Sequence, residues 1–294
     1  MQQRQQIVLV TGASSGIGQA IAAEFARNGC TVYGTSRRAK GEQAGTEGAA
    51  WTMLPMTLED EASVAAAVNT VAERHGRIDV LVNAAGSGIA GAIEETTAEE
   101  AKTQFEVCFF GVLRVLNHAL PVMRAAGGGA VINIGSMAAC FPIAFQGMYS
   151  AVKSALFMLT TTLRMEAGPY GIRACTVEPG DTKTGFTEKR AFTKQSRNSA
   201  YARPMERALY EMIRSELAAP GPENCAKLVY KVAGMKNPPA RVSVGTSYKA
   251  LYVFAKLTSW RFKERILRMI YLQKDPPKDA VWTLEKQFEE KSNE

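Results

Sequence analysis

Ile7-Val-Leu-Val-Thr-Gly-Ala-Ser-Ser-Gly-Ile-Gly18 sets four apolar residues before a turn that holds three glycines. Ile7 to Val10 reads as a buried strand, and beyond the turn Ile17, Ala20, Ile21 and Phe25 recur at helical spacing until Asn28-Gly29 stops them. Strand, glycine turn and helix in that order make a phosphate cradle. Gly12 permits the tight turn, Gly16 and Gly18 let main chain approach an anion and the strand, and the free N–H groups of the first helical turn face the charge. With Ser14, Ser15 and Ile17, these glycines are the expected contacts to a dinucleotide.

Working outward, Thr31 to Thr35 is a second strand and ends at Ser36-Arg37-Arg38. A site for NAD usually carries an acid there for the ribose 2′-hydroxyl, whereas a basic residue suits the 2′-phosphate of NADP. The acid is absent and two guanidinium forks stand in its place, so NADP(H) is expected over NAD(H). Further strands are expected at Trp51–Leu54, Asp79–Val82, Ala130–Ile134, Gly171–Val177 and Arg241–Val244. Helical patterns lie between them at 58–75, 98–126, from Tyr149 to Ala167, and at 223–235, with Pro121 expected to kink or shorten the second. That alternation predicts an α/β fold, a doubly wound parallel sheet with helices on both faces.

Composition narrows the classes. With 294 residues, 46% hydrophobic and 21% charged, the chain fits one globular domain over 1–294. Met1 to Gln6 lacks signal-peptide character and no uninterrupted apolar run approaches ~20 residues, so a cytoplasmic protein is expected, with association at a membrane surface left open. Five scattered cysteines and two histidines without ligand spacing predict reduced thiols and no metal site. A net charge of +7 alone does not imply nucleic acid, and no nucleic-acid motif accompanies it. Residues 181–222, rich in Thr, Lys, Arg and Ser, read as an aperiodic substrate-loop insertion. Residues 247–294 read as a helical extension, in which 248–272 mixes apolar residues with six Lys/Arg and one acid. Such a helix packs over a lipophilic substrate, pairs with a second subunit or makes peripheral contact with an anionic membrane.

Tyr149-Ser-Ala-Val-Lys153 puts a phenol and an ammonium one helical turn apart on one face. A phenol has a reference pKa near ~10, and a fixed cation beside it favours the ionised form that general acid/base work needs. Alone, a Tyr and a Lys four apart on a helix are more often a surface pair. Its weight comes from strand ends that leave main chain and hydroxyl groups at the same sheet edge: Asn83-Ala84-Ala-Gly86 and Gly135-Ser136.

Thr11-Gly-x-x-x-Gly-x-Gly18, Asn83-Ala-Ala-Gly86, Ser136, Tyr149-x-x-x-Lys153 and Pro179-Gly180 together resemble the short-chain dehydrogenase/reductase family over about residues 5 to 245. The likeness implies a Rossmann-like sheet of seven strands in the order 3-2-1-4-5-6-7. It implies hydride transfer between a nicotinamide and a carbinol or carbonyl carbon, with Tyr149 exchanging the hydroxyl proton. Lys153 would favour the phenolate and hold the nicotinamide ribose, Ser136 would hydrogen-bond the substrate oxygen, and Thr182 and Thr184 would meet the carboxamide or phosphate. Two departures stand out. Thr57, beside Leu58, replaces an acid near the adenine, and Cys108 replaces an asparagine that relays protons. The insertion and extension look most like the hydroxysteroid, retinol and acyl-dihydroxyacetone-phosphate branch. A lipophilic alcohol or ketone bounded by Phe141, Phe145, Met148 and Phe186 is therefore expected, along with a homodimer or homotetramer. The alternative is a non-catalytic NADP(H) sensor on the same fold.

Overall fold

The structure, a computed structural model, describes residues 5–273 and 275–276. In chain order its first half comprises β1 (Ile7–Thr11), α1 (Gly16–Arg27), β2 (Thr31–Ser36), β3 (Gln43–Thr46), β4 (Ala49–Pro55), α2 (Glu61–His75), β5 (Val80–Asn83), β6 (Ile89–Ala90), α3 (Ala98–Phe105) and α4 (Gly111–Ala125). The second half comprises β7 (Gly129–Ile134), α5 (Gly147–Ala167), β8 (Ile172–Glu178), β9 (Ala191–Phe192), α6 (Ala202–Ala218), α7 (Glu223–Ala233), β10 (Arg241–Ser243), α8 (Thr246–Leu257) and α9 (Trp260–Leu272).

Strands buried on both faces pair in parallel, and successive side chains serve opposite layers. Ile7 and Leu9 of β1 join α2, α4 and α5 through Val68, Leu116 and Leu156, while Val8 and Val10 join α1 and α7 through Phe25 and Val229. The sheet has eight strands in the order β10-β8-β7-β5-β1-β2-β4-β3. Seven are parallel and follow the expected order. The expected count is corrected by β3, which runs antiparallel to β4 through a two-residue turn at Glu47-Gly48, with Gly48 at φ 70°. Gln43-Ala-Gly-Thr46 carries no apolar alternation, so the sequence does not announce it.

Three further expectations are corrected. The 98–126 helix is not shortened at Pro121, which is exposed and lies inside α4 with the helix running on to Ala125. The interruption is a π-helical turn at Glu106–Phe110, which inserts Cys108 between α3 and α4. By length and composition the Ala98–Ala125 run qualifies to cross a membrane. Val112, Val115, Leu116, Ala119 and Met123 are nonetheless buried in the layer over the sheet, which makes it a core helix. The 181–222 insertion is not aperiodic: α6 buries Met205, Ala208, Leu209, Met212 and Ile213 at regular helical spacing. The 248–272 helix is two helices, and Ser259 caps the second by accepting from Phe262 N at 3.4 Å.

Candidate active site

Glycine turn, Asn83–Gly86, Gly135-Ser136 and Pro179-Gly180 follow β1, β5, β7 and β8, so the parallel register brings all four to the carboxyl edge of the sheet. Thr11 ties the first two together, its Oγ1 accepting from Ala84 N at 3.1 Å and Ala85 N at 3.2 Å. Gly12 has φ 71°, and a Cβ on it would stand 2.7 Å from Ala85 Cα. A Cβ on Gly18 would stand 2.3 Å from Gly12 O. The N-cap Ser15 side chain makes no capping hydrogen bond among the described residues, so the first N–H groups of α1 face outward for an anion. Exposed Ser14 and Ser15, with half-buried Ile17, complete the turn. The cradle fits a dinucleotide phosphate.

Arg37 and Arg38 are both exposed just past β2. Leu58 is buried, a Cβ on Gly111 of α4 would stand 2.8 Å from its Cβ, and its carbonyl accepts from Arg114 Nη1 at 3.0 Å. Neighbouring Thr57 donates its N–H to Ser63 Oγ at 3.0 Å. Thr182 Oγ1 donates to Gly180 O at 3.1 Å, and the Thr184 side chain approaches Gly16, where a Cβ would meet it at 3.5 Å. Lys189, which sequence reasoning missed, reaches back over the glycine turn and donates to Ser15 Oγ at 3.4 Å.

Tyr149 and Lys153 occupy the first two turns of α5. Lys153 is buried, its Nζ donating to Ile134 O at 2.9 Å and lying 5.7 Å from the Tyr149 ring centroid. An ammonium has three donors, so two remain for other partners. Ser136 Oγ accepts from Ala138 N at 3.1 Å, which leaves its O–H as a donor. Met137 N donates to Pro179 O at 3.2 Å and fixes the Ser136 loop beside Pro179-Gly180. Beneath the pair runs a buried polar chain that sequence reasoning also missed. Asn83 Nδ2 donates to Asn133 Oδ1 and Asn133 Nδ2 to Thr160 Oγ1, each at 2.8 Å, locking β5, β7 and α5 in one register. The available signal was a lone polar residue inside the apolar strand Ala130-Val-Ile-Asn-Ile134.

Cys108 is buried in the π turn, where Gln104 Nε2 donates to its sulfur at 3.2 Å and Ser87 N at 3.4 Å. A Cβ on Gly86 would lie 3.8 Å from Cys108 Sγ and 3.9 Å from Lys153 Nζ, so the thiol borders the lysine across that glycine.

Phe186 stands 5.8 Å from Tyr149, ring to ring, and covers Gly88, where a Cβ would meet its Cζ at 2.8 Å. Phe145 adopts φ 60°, a left-handed conformation that costs a bulky residue energy, and packs on Tyr201 at 6.3 Å. With Ile143 it borders an apolar cluster of Ala90, Met205, Leu209 and Met212, which Tyr271 of α9 completes. Phe141 and Met148 are half-buried on the same loop and helix start. From α8, Tyr248 accepts from Asp181 N at 3.0 Å, and Ser215 of α6 donates to the Asp181 carboxylate. At the end of β8 the fully buried Glu178 pairs with Arg241 at 2.9 Å. Burial pushes its carboxyl up to about 7 against the opposing pull of Arg241.

The arrangement offers a phosphate cradle, a phenol backed by a buried ammonium, and a hydroxyl donor, all at one sheet edge. That set can protonate an oxygen on which negative charge develops. A family model described as short chain dehydrogenase matches residues 6–195. The 3-ketodihydrosphingosine reductase of Bacteroides thetaiotaomicron is 38% identical over 270 residues, covering 90% of this chain and 98% of that protein. A probable short-chain type dehydrogenase/reductase of Helicobacter pylori, VdlC, is 34% identical over 197 residues, 67% of this chain and 72% of that protein. Among solved structures, a short-chain dehydrogenase from Streptomyces avermitilis aligns with TM-score 0.73 at 32% identity, covering 90% of this chain and 99% of that one.

Proposed function

Because the chain belongs to the short-chain dehydrogenase/reductase family, whose members are oxidoreductases acting on CH–OH groups, we propose that it reduces a long-chain keto lipid with NADP(H). The observation that carries this reading is Lys153, buried and tied to Ile134 O at 2.9 Å beside the Tyr149 ring.

A bound dihydronicotinamide supplies the hydride. Tyr149 gives its phenolic proton to the carbonyl oxygen as charge gathers there, and the Ser136 O–H donates to the same oxygen. Lys153 steadies the phenolate with one of its two remaining donors and takes a ribose hydroxyl with the other. Gly12, Ser14, Ser15, Gly16, Ile17 and Gly18 hold the pyrophosphate. Asn83 and Ala84, with Thr57 and Leu58, border the adenosine side, and Gly86 lies beside Lys153 at the ribose. Pro179, Gly180 and Thr182 border the nicotinamide, and Thr184 stands by Gly16 at the phosphates.

NADP(H) is favoured by Arg37 and Arg38, because a 2′-phosphate there gains two guanidinium partners. A keto lipid is favoured by the apolar wall of Phe186, Phe145, Met148 and Phe141, and by the similarity to a reductase named for a long-chain ketone. A homodimer or homotetramer is favoured by Met158 and Met165, exposed on the outer face of α5, where a second copy would cover them.

The test is a panel of 3-keto sphingoid bases, 3-keto acyl esters, steroid ketones and retinal, followed by NADPH absorbance. A long-chain ketone should turn over fastest. In Tyr149→Phe, turnover should fall ~10²–10⁴-fold with NADPH still bound. NADPH binding without turnover of any panel member would favour the sensor reading.

A further inference from the structure

The α8–α9 hairpin carries several large apolar side chains outward. Leu257 is 81% and Trp260 64% exposed at its tip, with Val253 (54%) and Phe262 (48%) on the flanking turns. Single exposed hydrophobes are ordinary on a protein surface, but a contiguous group rimmed by charge marks a binding face. The tip is held in this pose. Ser259 caps α9, Lys263 Nζ lies 3.9 Å over the Trp260 ring, and the same ammonium donates to Ala255 O at 3.1 Å. Trp260 is thus braced from within while its outer side meets solvent.

Beside the tip, Arg261, Arg265 and Arg268 recur at i, i+4 and i+7 and form one stripe along α9. With Glu264, Met269 and Gln273 they line a shallow hollow of about 350 Å³. Glu264 is already engaged by Arg268 at 3.2 Å, so the stripe keeps a strong positive excess. Guanidinium forks fit phosphate oxygens, and an aromatic ring with an apolar body and a polar edge suits the boundary between headgroups and acyl chains.

We propose that the outer face of the α8–α9 hairpin seats the protein on an anionic phospholipid bilayer. Leu257 and Trp260 enter the headgroup–acyl boundary, and Arg261, Arg265 and Arg268 take lipid phosphates. Stable attachment of this kind needs both an apolar insertion and a basic patch, and the hairpin has both. A second copy of the chain fits the face poorly, because a two-fold contact would set the arginine stripe against itself. The placement also suits a lipid reductase. The inner side of α9 closes the cluster that Phe145 borders, and the first turn of α8 sets Tyr248 on Gly180. Attachment is nevertheless independent of which ketone is reduced.

The experiment is flotation of the full chain with liposomes of phosphatidylcholine alone or mixed with phosphatidylglycerol, without substrate. The protein should float with the anionic vesicles only and be released by salt. Leu257→Asp with Trp260→Asp should abolish flotation. Arg261→Glu, Arg265→Glu and Arg268→Glu together should weaken it more than ~100-fold, since each basic side chain is worth about fivefold. The corresponding triple Arg→Lys variant should retain most of it, and all variants should keep wild-type melting and NADPH binding. Failure of the wild type to float with anionic vesicles overturns the proposal, as do acidic tip and stripe variants that float as well as wild type. So does a change from dimer to monomer in those variants with flotation unaltered. A chain that floats as described but reduces no long-chain ketone leaves the bilayer face standing and removes only the substrate reading.

Discussion

The ring of Tyr248 lies on Gly180 so closely that a Cβ there would stand 2.0 Å from the ring's Cζ. The first turn of the C-terminal helices is therefore packed onto the turn after β8, and glycine at 180 is a matter of space. Gly180→Ala should cost ~1–3 kcal/mol by overpacking and weaken NADPH binding by displacing Pro179-Gly180. Adding Tyr248→Ser, which vacates the ring's volume, should restore part of both losses. Melting curves and NADPH titrations on the two single variants and the double variant read the coupling. Strict additivity would refute the packing account.

Arg37→Ala with Arg38→Ala should weaken NADPH about tenfold or more and leave NADH binding nearly unchanged, because charge-assisted hydrogen bonds to the 2′-phosphate are each worth ~1.5–3 kcal/mol. Lys189→Gln should instead weaken both cofactors alike, since Ser15 belongs to the glycine turn that both would share. Paired fluorescence titrations with the two cofactors separate these patterns.

Cys108→Asn should leave kcat unchanged or higher. The thiol already receives hydrogen bonds from Gln104 and Ser87 and sits across Gly86 from Lys153. An amide there adds a stronger donor and acceptor on the lysine's side. Initial rates and melting temperature check it, and a collapse of rate at unchanged melting would show that the thiol itself is needed.

Glu178 makes stability depend on pH in a definite direction. Its carboxyl is raised from 4.5 to about 7 in the folded protein, so between those values the native state holds a proton that the unfolded chain has released. The contribution is fully present below the lower value and is lost as pH rises through the upper one. Glu178→Gln lacks this titration. Its stability relative to wild type should therefore improve by ~1–3 kcal/mol from about pH 5 to about pH 8. Urea melts at several pH values measure the difference. Wild type gaining on the variant over that interval would mean that Arg241 outweighs burial.

What was legible in the sequence was local. The glycine turn, the strand ends at Asn83 and Ser136, and Tyr149 with Lys153 each announce themselves within a few residues, because their chemistry depends on short spacing. What escaped depends on distance or on masking. Lys189 meets Ser15 across 174 positions, and Tyr248 meets Asp181 across 67. The Asn83–Asn133–Thr160 chain exists only once strands have paired. The apolar stripe of α6 was legible in principle, but the Thr- and Lys-rich stretch before it drew the whole segment into one loop. Pro121 misled for another reason: a proline exposed on a helix that packs well elsewhere need not stop it.

The short antiparallel strand Gln43–Thr46 has one more consequence. An open parallel sheet ends in a row of unsatisfied main-chain groups that any extended peptide can zip onto. Here that margin is finished by four residues running backwards, with Gln43, Gly45 and Thr46 exposed and no apolar ladder to recruit another strand. The opposite margin is only the three residues of β10. Fibre-like growth is discouraged in both directions, so nascent or crowded copies are steered away from aggregation by a hairpin that takes no part in chemistry.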